Sequence, residues 1–296
     1  MPSLELNMPL HTFAPAKINL ALKVLGRRSD GYHTLRSIVV FASEGDSLEL
    51  LPGSDVSLAI RGPFASGLDN GANNLVLKAV RLLQERKEGL RIGSFRLDKR
   101  LPVASGIGGG SADAAAALRL VAQVNEISLD DNLLQEAALA AGADVPVCLE
   151  SRARMMGGIG EMLGDPLGLP KLPAVLVNPG VAVSTPDVFR ELGLAPGENR
   201  PNESTAELQD VTEIGQLLAI LNDEDNDLQE AAGSLAPDIR MALEFVSGTT
   251  DCLLARMSGS GATVFGLYPD FDRAESAASY LKTLRPHWWI KPAWLR

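Results

Sequence analysis

One stretch narrows what this chain can be more than any other: Leu101-Pro102-Val103-Ala104-Ser105-Gly106-Ile107-Gly108-Gly109-Gly110-Ser111-Ala112-Asp113. Glycine at four of the five positions 106 to 110 removes Cβ atoms where backbone N–H groups would have to converge on a ligand. A helix opens near Ser111, with Ala114, Ala117, Leu118, Val121 and Ala122 at i, i+3, i+4, i+7 and i+8. Such a loop adds free N–H donors to the partial positive charge of a helix start, which makes a cradle for an anion, most simply a phosphate. The alanine face calls for a neighbour packed very close. Ser111 stands where a dinucleotide GxGxxG fingerprint needs its last glycine, no Gly-Lys-Ser/Thr follows the loop, and the protein-kinase HRD and DFG signatures are missing.

Charge locates the anion site. The 296 residues carry 27 Lys+Arg and 37 Asp+Glu, a formal net charge of −10. Residues 1–110 hold 14 basic and 10 acidic side chains, whereas 111–296 hold 13 and 27. A bulk-electrostatic nucleic-acid binder would need a basic face, so that class is disfavoured, and a small anion should draw on the N-terminal part. The stretch 191–230, with 11 acidic residues and one basic, Arg200, reads as a solvated connecting face. Cys148 and Cys252 cannot form a disulfide framework and fit a reducing cytoplasm as small buried residues. His11, His33 and His287 lack zinc spacing, and no apolar run approaches the ~18 residues of a membrane span. The expectation is a cytoplasmic protein with no metal of structural type and no membrane.

Periodicity supplies the elements. Ile18–Leu25, Ser37–Ala42 and Ser47–Leu51 are strand-like, the last two separated by a turn at Glu44-Gly45-Asp46. Asn73 or Asn74 can cap a helix whose face is Leu75, Val76, Ala79, Val80 and Leu83, and a further helix runs from Asn132 to Ala141 with Gly142 just beyond its C-cap. Pro166, Gly168, Pro170 and Pro173 form a stiff, turn-rich stretch, and the domain boundary is placed there, giving 1–165 and 166–296. Beyond it come a strand at Ala174–Asn178, a short helix at Asp187–Leu192 and a strand at Ala262–Tyr268. A helix started by an Asp272/Glu275 capping box and a strand at His287–Trp294 complete the chain.

Further segments accompany the glycine loop. They are Pro15-Ala16-Lys17-Ile18-Asn19-Leu20, Arg28-Ser29-Asp30-Gly31-Tyr32-His33, Gly142-Ala143-Asp144-Val145-Pro146, Gly158-Ile159-Gly160-Glu161, Asn178-Pro179-Gly180 with Ser184-Thr185-Pro186, and Met257-Ser258-Gly259-Ser260-Gly261-Ala262-Thr263-Val264-Phe265. In this order the set resembles the GHMP kinases, a superfamily of small-molecule kinases, and within it the branch whose acceptor is a cytidine-diphosphate-linked methylerythritol. The resemblance implies an α+β, two-domain fold. It implies a ribosomal-protein-S5-domain-2-like, ATP-binding domain over 1–165 and a ferredoxin-like domain over 166–296. It also implies ATP and Mg²⁺ as cofactors and a small cytidine diphosphate ester as the partner, with no nucleic acid or membrane, in a monomer or weak homodimer. Another GHMP kinase, of mevalonate or homoserine type, and a catalytically silent ligand sensor are the competing readings. Gly31-Tyr32-His33 argues against the first, since those substrates have no base to stack, and the presence of both Lys17 and Asp144 argues against the second.

By the same resemblance, Asp144 is the catalytic aspartate that accepts or orients the acceptor hydroxyl proton, and Lys17 is the cation paired with it. Pro102, Val103, Ala104, Ser105, Gly106, Ile107, Gly108, Gly109, Gly110 and Ser111 surround the triphosphate, with Ser111 the candidate near Mg²⁺. Asp113 serves either the metal or helix stability, Lys99 either ATP or solvent, and Asn74 either adenine or a helix cap. Tyr32 and His33 match cytosine-recognition positions. Phe189 is a second aromatic for that ring or a core residue. Asn19 and Thr185 are placed near the acceptor's diphosphate or hydroxyls, and Gly259, Ser260 and Gly261 form a glycine-rich wall near the reacting groups.

Overall fold

The structure is a computed structural model that describes residues 8–201, 208 and 210–296. Its first part runs β1 (Leu10–Arg27), β2 (His33–Gly53), β3 (Ser57–Arg61), α1 (Leu75–Arg86), β4 (Ile92–Asp98), α2 (Gly109–Val124), α3 (Asn132–Ala141) and α4 (Val145–Glu150). The chain continues through β5 (Arg154–Gly158), β6 (Met162–Pro166), β7 (Leu172–Asn178), α5 (Thr185–Glu191), α6 (Ile214–Asn222), α7 (Gln229–Leu235) and α8 (Pro237–Ser247). It ends with β8 (Leu254–Met257), β9 (Val264–Leu267), α9 (Phe271–Leu284) and β10 (Trp289–Leu295). Two compact units emerge. One is Met1–Ala16, Gly45–Val103 and Gly108–Ser151, and the other is Lys17–Glu44, Ala104–Ile107 and Arg152–Arg296. They differ from the contiguous division at 165/166 because β1 and β2, of 18 and 21 residues, each supply residues to both.

In the first unit β4 pairs parallel with β3 and antiparallel with the second half of β2, from Ser47 to Gly53. α1 packs on α2 and α3, and α2 on α4. Asn74 caps α1, its Oδ1 accepting from Val76 N at 2.9 Å, and Val76, Ala79, Val80 and Leu83 are buried as their spacing requires. α2 departs from the one-faced helix expected. Ala112 and Ala114 to Ala117 are all buried, together with Leu118, Leu120, Val121 and Ala122, because alanine leaves neighbours room to close in from several sides.

The expected turn at Glu44-Gly45-Asp46 does not form; β2 runs straight through it. Gly45 is there for clearance instead. A Cβ at that position would stand 2.4 Å from Ala14 O and 2.8 Å from Pro15 Cα, so a bare backbone is what lets β1 pass.

In the second unit β7, β8, β9 and β10 form an antiparallel sheet in the order β10-β7-β9-β8. With helices after β7 and between β9 and β10, this is the β-α-β-β-α-β order of a ferredoxin-like layer. β7 is buried at every residue, and α8 and α9 pack on the sheet through Ile239, Val246, Ala274 and Leu281. The first half of β2 pairs with β5, which forms a hairpin with β6.

α9 begins earlier than its sequence signal. Asp270, whose side chain accepts from Arg273 N at 2.8 Å, caps it in place of Asp272. The acidic stretch also departs from a solvated face. Glu224 is 3% exposed against Arg36, while Asp227 accepts from Val24 N at 2.8 Å and from Lys23 Nζ at 3.2 Å. These carboxylates hold the chain against β2 and β1 respectively. Residues 202–207 and 209 of the stretch lie outside the described residues. Trp288 stands edge-on to Phe245, and Trp294 stacks on Phe271.

Candidate active site

In the second unit three of the sequence motifs are tied into one knot. Lys17 N donates to Ile107 O at 2.9 Å, Ser258 Oγ accepts from Asn19 N and donates to Gly106 O, both at 3.1 Å, and Thr263 N donates to Ser105 O at 3.0 Å. The middle of β1, the 104–107 segment and the 258–263 turn therefore fix one another through main-chain groups and the Ser258 hydroxyl. Lys17 and Asn19 are 4% and 1% exposed. Gly106 sits at φ +74°, and a Cβ on it would lie 2.5 Å from Ser258 O and 2.7 Å from Gly261 N, so only glycine allows this approach.

The acceptor candidates gather in the same unit. His33 and Phe189 stack with ring centroids 4.5 Å apart at 22°. Burial, with a smaller push from Arg27, lowers the His33 pKa below its ordinary 6.5, so the ring is neutral at pH 7. Its Nε2 is buried without a hydrogen-bond partner among the described residues. Tyr32 is 60% exposed, with its backbone N–H held by Asp30 Oδ1. Thr185 Oγ1 and Ser260 Oγ are 2.7 Å apart, joining the first residue of α5 to the glycine turn. Asn178 supports that turn from β7 by donating to Thr263 Oγ1.

The first unit holds the remaining candidates. α2 starts at Gly109, behind Gly108, a cap residue that offers no side-chain acceptor to the first N–H groups of the helix. Pro102 is buried, Val103 and Gly110 are exposed, and Gly108, Gly109 and Ser111 are intermediate; of the loop residues assigned to the second unit, Ser105 is buried and Ala104 exposed. Lys99 does not reach toward solvent. Its ammonium lies 2.6 Å from both Asp46 Oδ2 and Asp113 Oδ2, with all three side chains buried. Asp46 Oδ1 also accepts from Leu101 N at 2.8 Å and from Arg100 N. The start of the loop and the second turn of α2 are thus held by one ammonium. Asp113 is committed to this trio and lies beyond the first turn of the helix.

Asp144 precedes α4 with φ −86° and ψ −8°, and its side chain does not cap that helix. α4 is anchored from its other end: Arg119 of α2 donates to Cys148 O at 2.7 Å and to Phe13 O at 2.6 Å. Asn74 uses its side chain as the α1 cap and donates to Asp69 O.

Sequence reasoning overlooked Asp46, Ser37, Arg119 and Asn226. Asn226 donates to Met257 O and Gly259 O, both at 2.8 Å, and so braces the glycine turn. The signal for Asn226 was within reach, since Asn226-Asp227 interrupts the acidic run with an amide; Asp46 carried none, being concealed in the expected turn.

Comparison with known proteins agrees with this layout. The sequence matches the GHMP kinases N terminal domain over residues 74–152 and the GHMP kinases C terminal domain over 203–286. It is 52% identical over 284 residues to a 4-diphosphocytidyl-2-C-methyl-D-erythritol kinase of Methylorubrum extorquens, covering 96% of this chain and 98% of the relative. A crystal structure of a 4-(cytidine 5'-diphospho)-2C-methyl-D-erythritol kinase superposes with a TM-score of 0.72 at 32% identity, over 96% of this chain and 99% of that one. A homoserine kinase from Cytophaga hutchinsonii shares the fold, with a TM-score of 0.69 at 19% identity over 99% and 95% of the two chains. Identity at this level over nearly the full length places the chain in the GHMP kinase superfamily and, inside it, among the 4-diphosphocytidyl-2-C-methyl-D-erythritol kinases.

Proposed function

We propose that this protein transfers the γ-phosphoryl group of ATP to the 2-hydroxyl of 4-diphosphocytidyl-2-C-methyl-D-erythritol. The observation that carries the choice of acceptor is the His33–Phe189 stack, where a neutral imidazole whose buried Nε2 has no partner among the described residues suits a nucleobase edge. Mevalonate and homoserine have no ring for such a pair to engage.

Phosphoryl transfer demands position and charge stabilisation more than covalent chemistry from the protein. Asp144 accepts the proton of the acceptor hydroxyl as the new O–P bond forms and the bond from the γ-phosphorus to the bridging oxygen breaks, releasing ADP. Such assistance is typically worth ~10²–10⁴-fold. Lys17 supplies a fixed positive charge to the reacting groups. The 102–111 segment binds the triphosphate, helped by a helix start that its cap residue leaves without a side-chain acceptor. Asn19, Thr185 and Gly259 to Gly261 line the acceptor's polyol end, with Tyr32, His33 and Phe189 at its base. Asn74 contributes to the adenine end through the backbone it caps, and Lys99 acts through its grip on the loop.

The residues present fit Mg²⁺ as a companion of the nucleotide rather than a resident ion. Among the described residues no group of acidic or imidazole side chains could hold a metal alone, and Asp113 is occupied by Lys99. Ser111 is the protein residue that would approach Mg²⁺, which neutralises phosphate charge. Among the described residues no helix is long and apolar enough to cross a membrane. Cys148 and Cys252 are thiols rather than halves of a disulfide, which supports work in the cytoplasm.

The test is an ADP-release assay with the cytidine-linked methylerythritol, mevalonate and homoserine, followed by phosphorus NMR of the product. A new phosphomonoester on the cytidine-linked acceptor alone is the expected result. Transfer to mevalonate or homoserine instead, or tight binding with no ADP formed, would refute the assignment.

A further inference from the structure

The Asn19 amide is held by Ser37, a residue outside every motif. Asn19 Nδ2 donates to Ser37 Oγ at 2.7 Å, and Ser37 Oγ donates to Ala21 O at 2.6 Å. Both side chains are almost wholly buried, at 1% and 2% exposure. A hydroxyl has one proton. Because Ser37 spends it on the Ala21 carbonyl, what remains toward Asn19 is a lone pair, and the amide must turn its NH₂ to Ser37. Asn19 Oδ1 is thereby left pointing away, buried and with no hydrogen-bond partner among the described residues. It faces the bare backbone of Gly259, where an added Cβ would come within 3.4 Å of it. A buried carbonyl oxygen with an unmet bond is a place for a donor.

We propose that Ser37 is a positioning residue that locks the Asn19 amide so that Oδ1, and not NH₂, meets the acceptor, which makes this point selective for a hydroxyl of the polyol. A phosphate oxygen can only accept, so it finds no bond with Oδ1, whereas a sugar-alcohol O–H does. Were the amide reversed, the preference would invert and the acceptor could bind with its diphosphate where its hydroxyls belong. The backbone of Asn19 is fixed independently by Ser258 Oγ, so loss of Ser37 changes the amide's orientation more than its location.

The inference rests on the kinase reading above, and the test separates the two. Steady-state kinetics on wild type come first: absence of turnover on the cytidine-linked acceptor would be a failure of that reading. Given turnover, Ser37→Val, which carries no hydroxyl and has the same bulk as Ser37→Thr, should raise KM for the acceptor about tenfold while KM for ATP stays within about twofold, the size expected for one unmet buried hydrogen bond. Ser37→Thr restores the hydroxyl and should return the acceptor KM to within about threefold of wild type, on the same scale. Equal impairment in both variants, parallel rises in both KM values, or no change in Ser37→Val would overturn the proposal.

A measurement on wild type keeps the idea testable if Ser37→Val fails to fold. The Asn19 side-chain NH₂ signals, identified by their loss in Asn19→Asp, should be protected from solvent exchange in both the free and the acceptor-bound protein. Protection that appears only when the acceptor binds would mean that NH₂ faces the ligand, and the lock would be wrong.

Discussion

Replacing Asp113 with asparagine should change the pH dependence of stability more than stability itself. Lys99 stands between two buried carboxylates, so the trio carries one excess negative charge in a region closed to water. The two carboxylates are unequal. Asp46 Oδ1 is satisfied by two backbone N–H groups, while Asp113 Oδ1 has no partner among the described residues. The cost of the extra charge therefore falls on Asp113. Burial raises its pKa from 3.8 to about 7, with Lys99 pulling it down and Asp46 adding to the rise.

The sign follows from proton linkage. Between pH 3.8 and about 7 the folded protein keeps a proton on Asp113 that the unfolded chain releases. This contribution is therefore complete below pH 3.8 and is lost as pH rises through 7. At ~1.4 kcal/mol for each tenfold in proton affinity, the window from 3.8 to about 7 is worth ~4 kcal/mol. The asparagine side chain cannot ionise, but it buries an NH₂ where Oδ1 had no partner, a cost of ~1–3 kcal/mol. Urea unfolding followed by circular dichroism at about pH 5, 6, 7 and 8 should then show Asp113→Asn below wild type at the acid end, with the gap closing or reversing at the alkaline end. Other titrating groups cancel in the difference between the two proteins. A gap that stays constant over this range would refute the assignment of the excess charge to Asp113.

The remaining predictions concern activity. Asp144→Asn should lower kcat by ~10²–10⁴-fold while acceptor affinity by calorimetry stays near wild type, because the amide keeps the shape and loses the proton acceptor. Phe189→Ala removes one face of the aromatic pair. It should raise KM for the cytidine-linked acceptor by roughly tenfold, the worth of one aromatic contact, without moving KM for ATP. Gly106→Ala drives a methyl to 2.5 Å from Ser258 O and into a left-handed conformation. Loss of ~2 kcal/mol or more of stability, measured by thermal unfolding, should accompany a fall in kcat/KM for both substrates.

What could be read from the sequence was whatever the local backbone fixes. α1 was legible because apolar spacing and a capping Asn lie within a few residues of each other, α3 because Gly142 ends its run, and β7 because an unbroken apolar run has nowhere to go but the interior. The bare backbone of the glycine loop was legible for the same reason, and at Gly106 it becomes a close approach to Ser258 O and Gly261 N. Gly45 shows the limit. Glycine in a strand marks either a turn or a close approach, and the atoms that distinguish these belong to Phe13, Ala14 and Pro15, in a distant part of the chain.

Polar partners lie further beyond the reach of sequence. Lys99 meets Asp113 fourteen residues on and Asp46 fifty-three residues back, and only the packed fold can turn an apparent surface lysine into the clasp of a loop. Ser37 goes one step further still, because its part in the site depends on where a single proton points. Asn19 stood out from its motif, but whether it would present a donor or an acceptor was undetermined until the Ala21 carbonyl claimed the Ser37 proton. Residue identity at a site therefore specifies which hydrogen bonds are possible, and the neighbour that consumes one of them specifies which remains for the substrate.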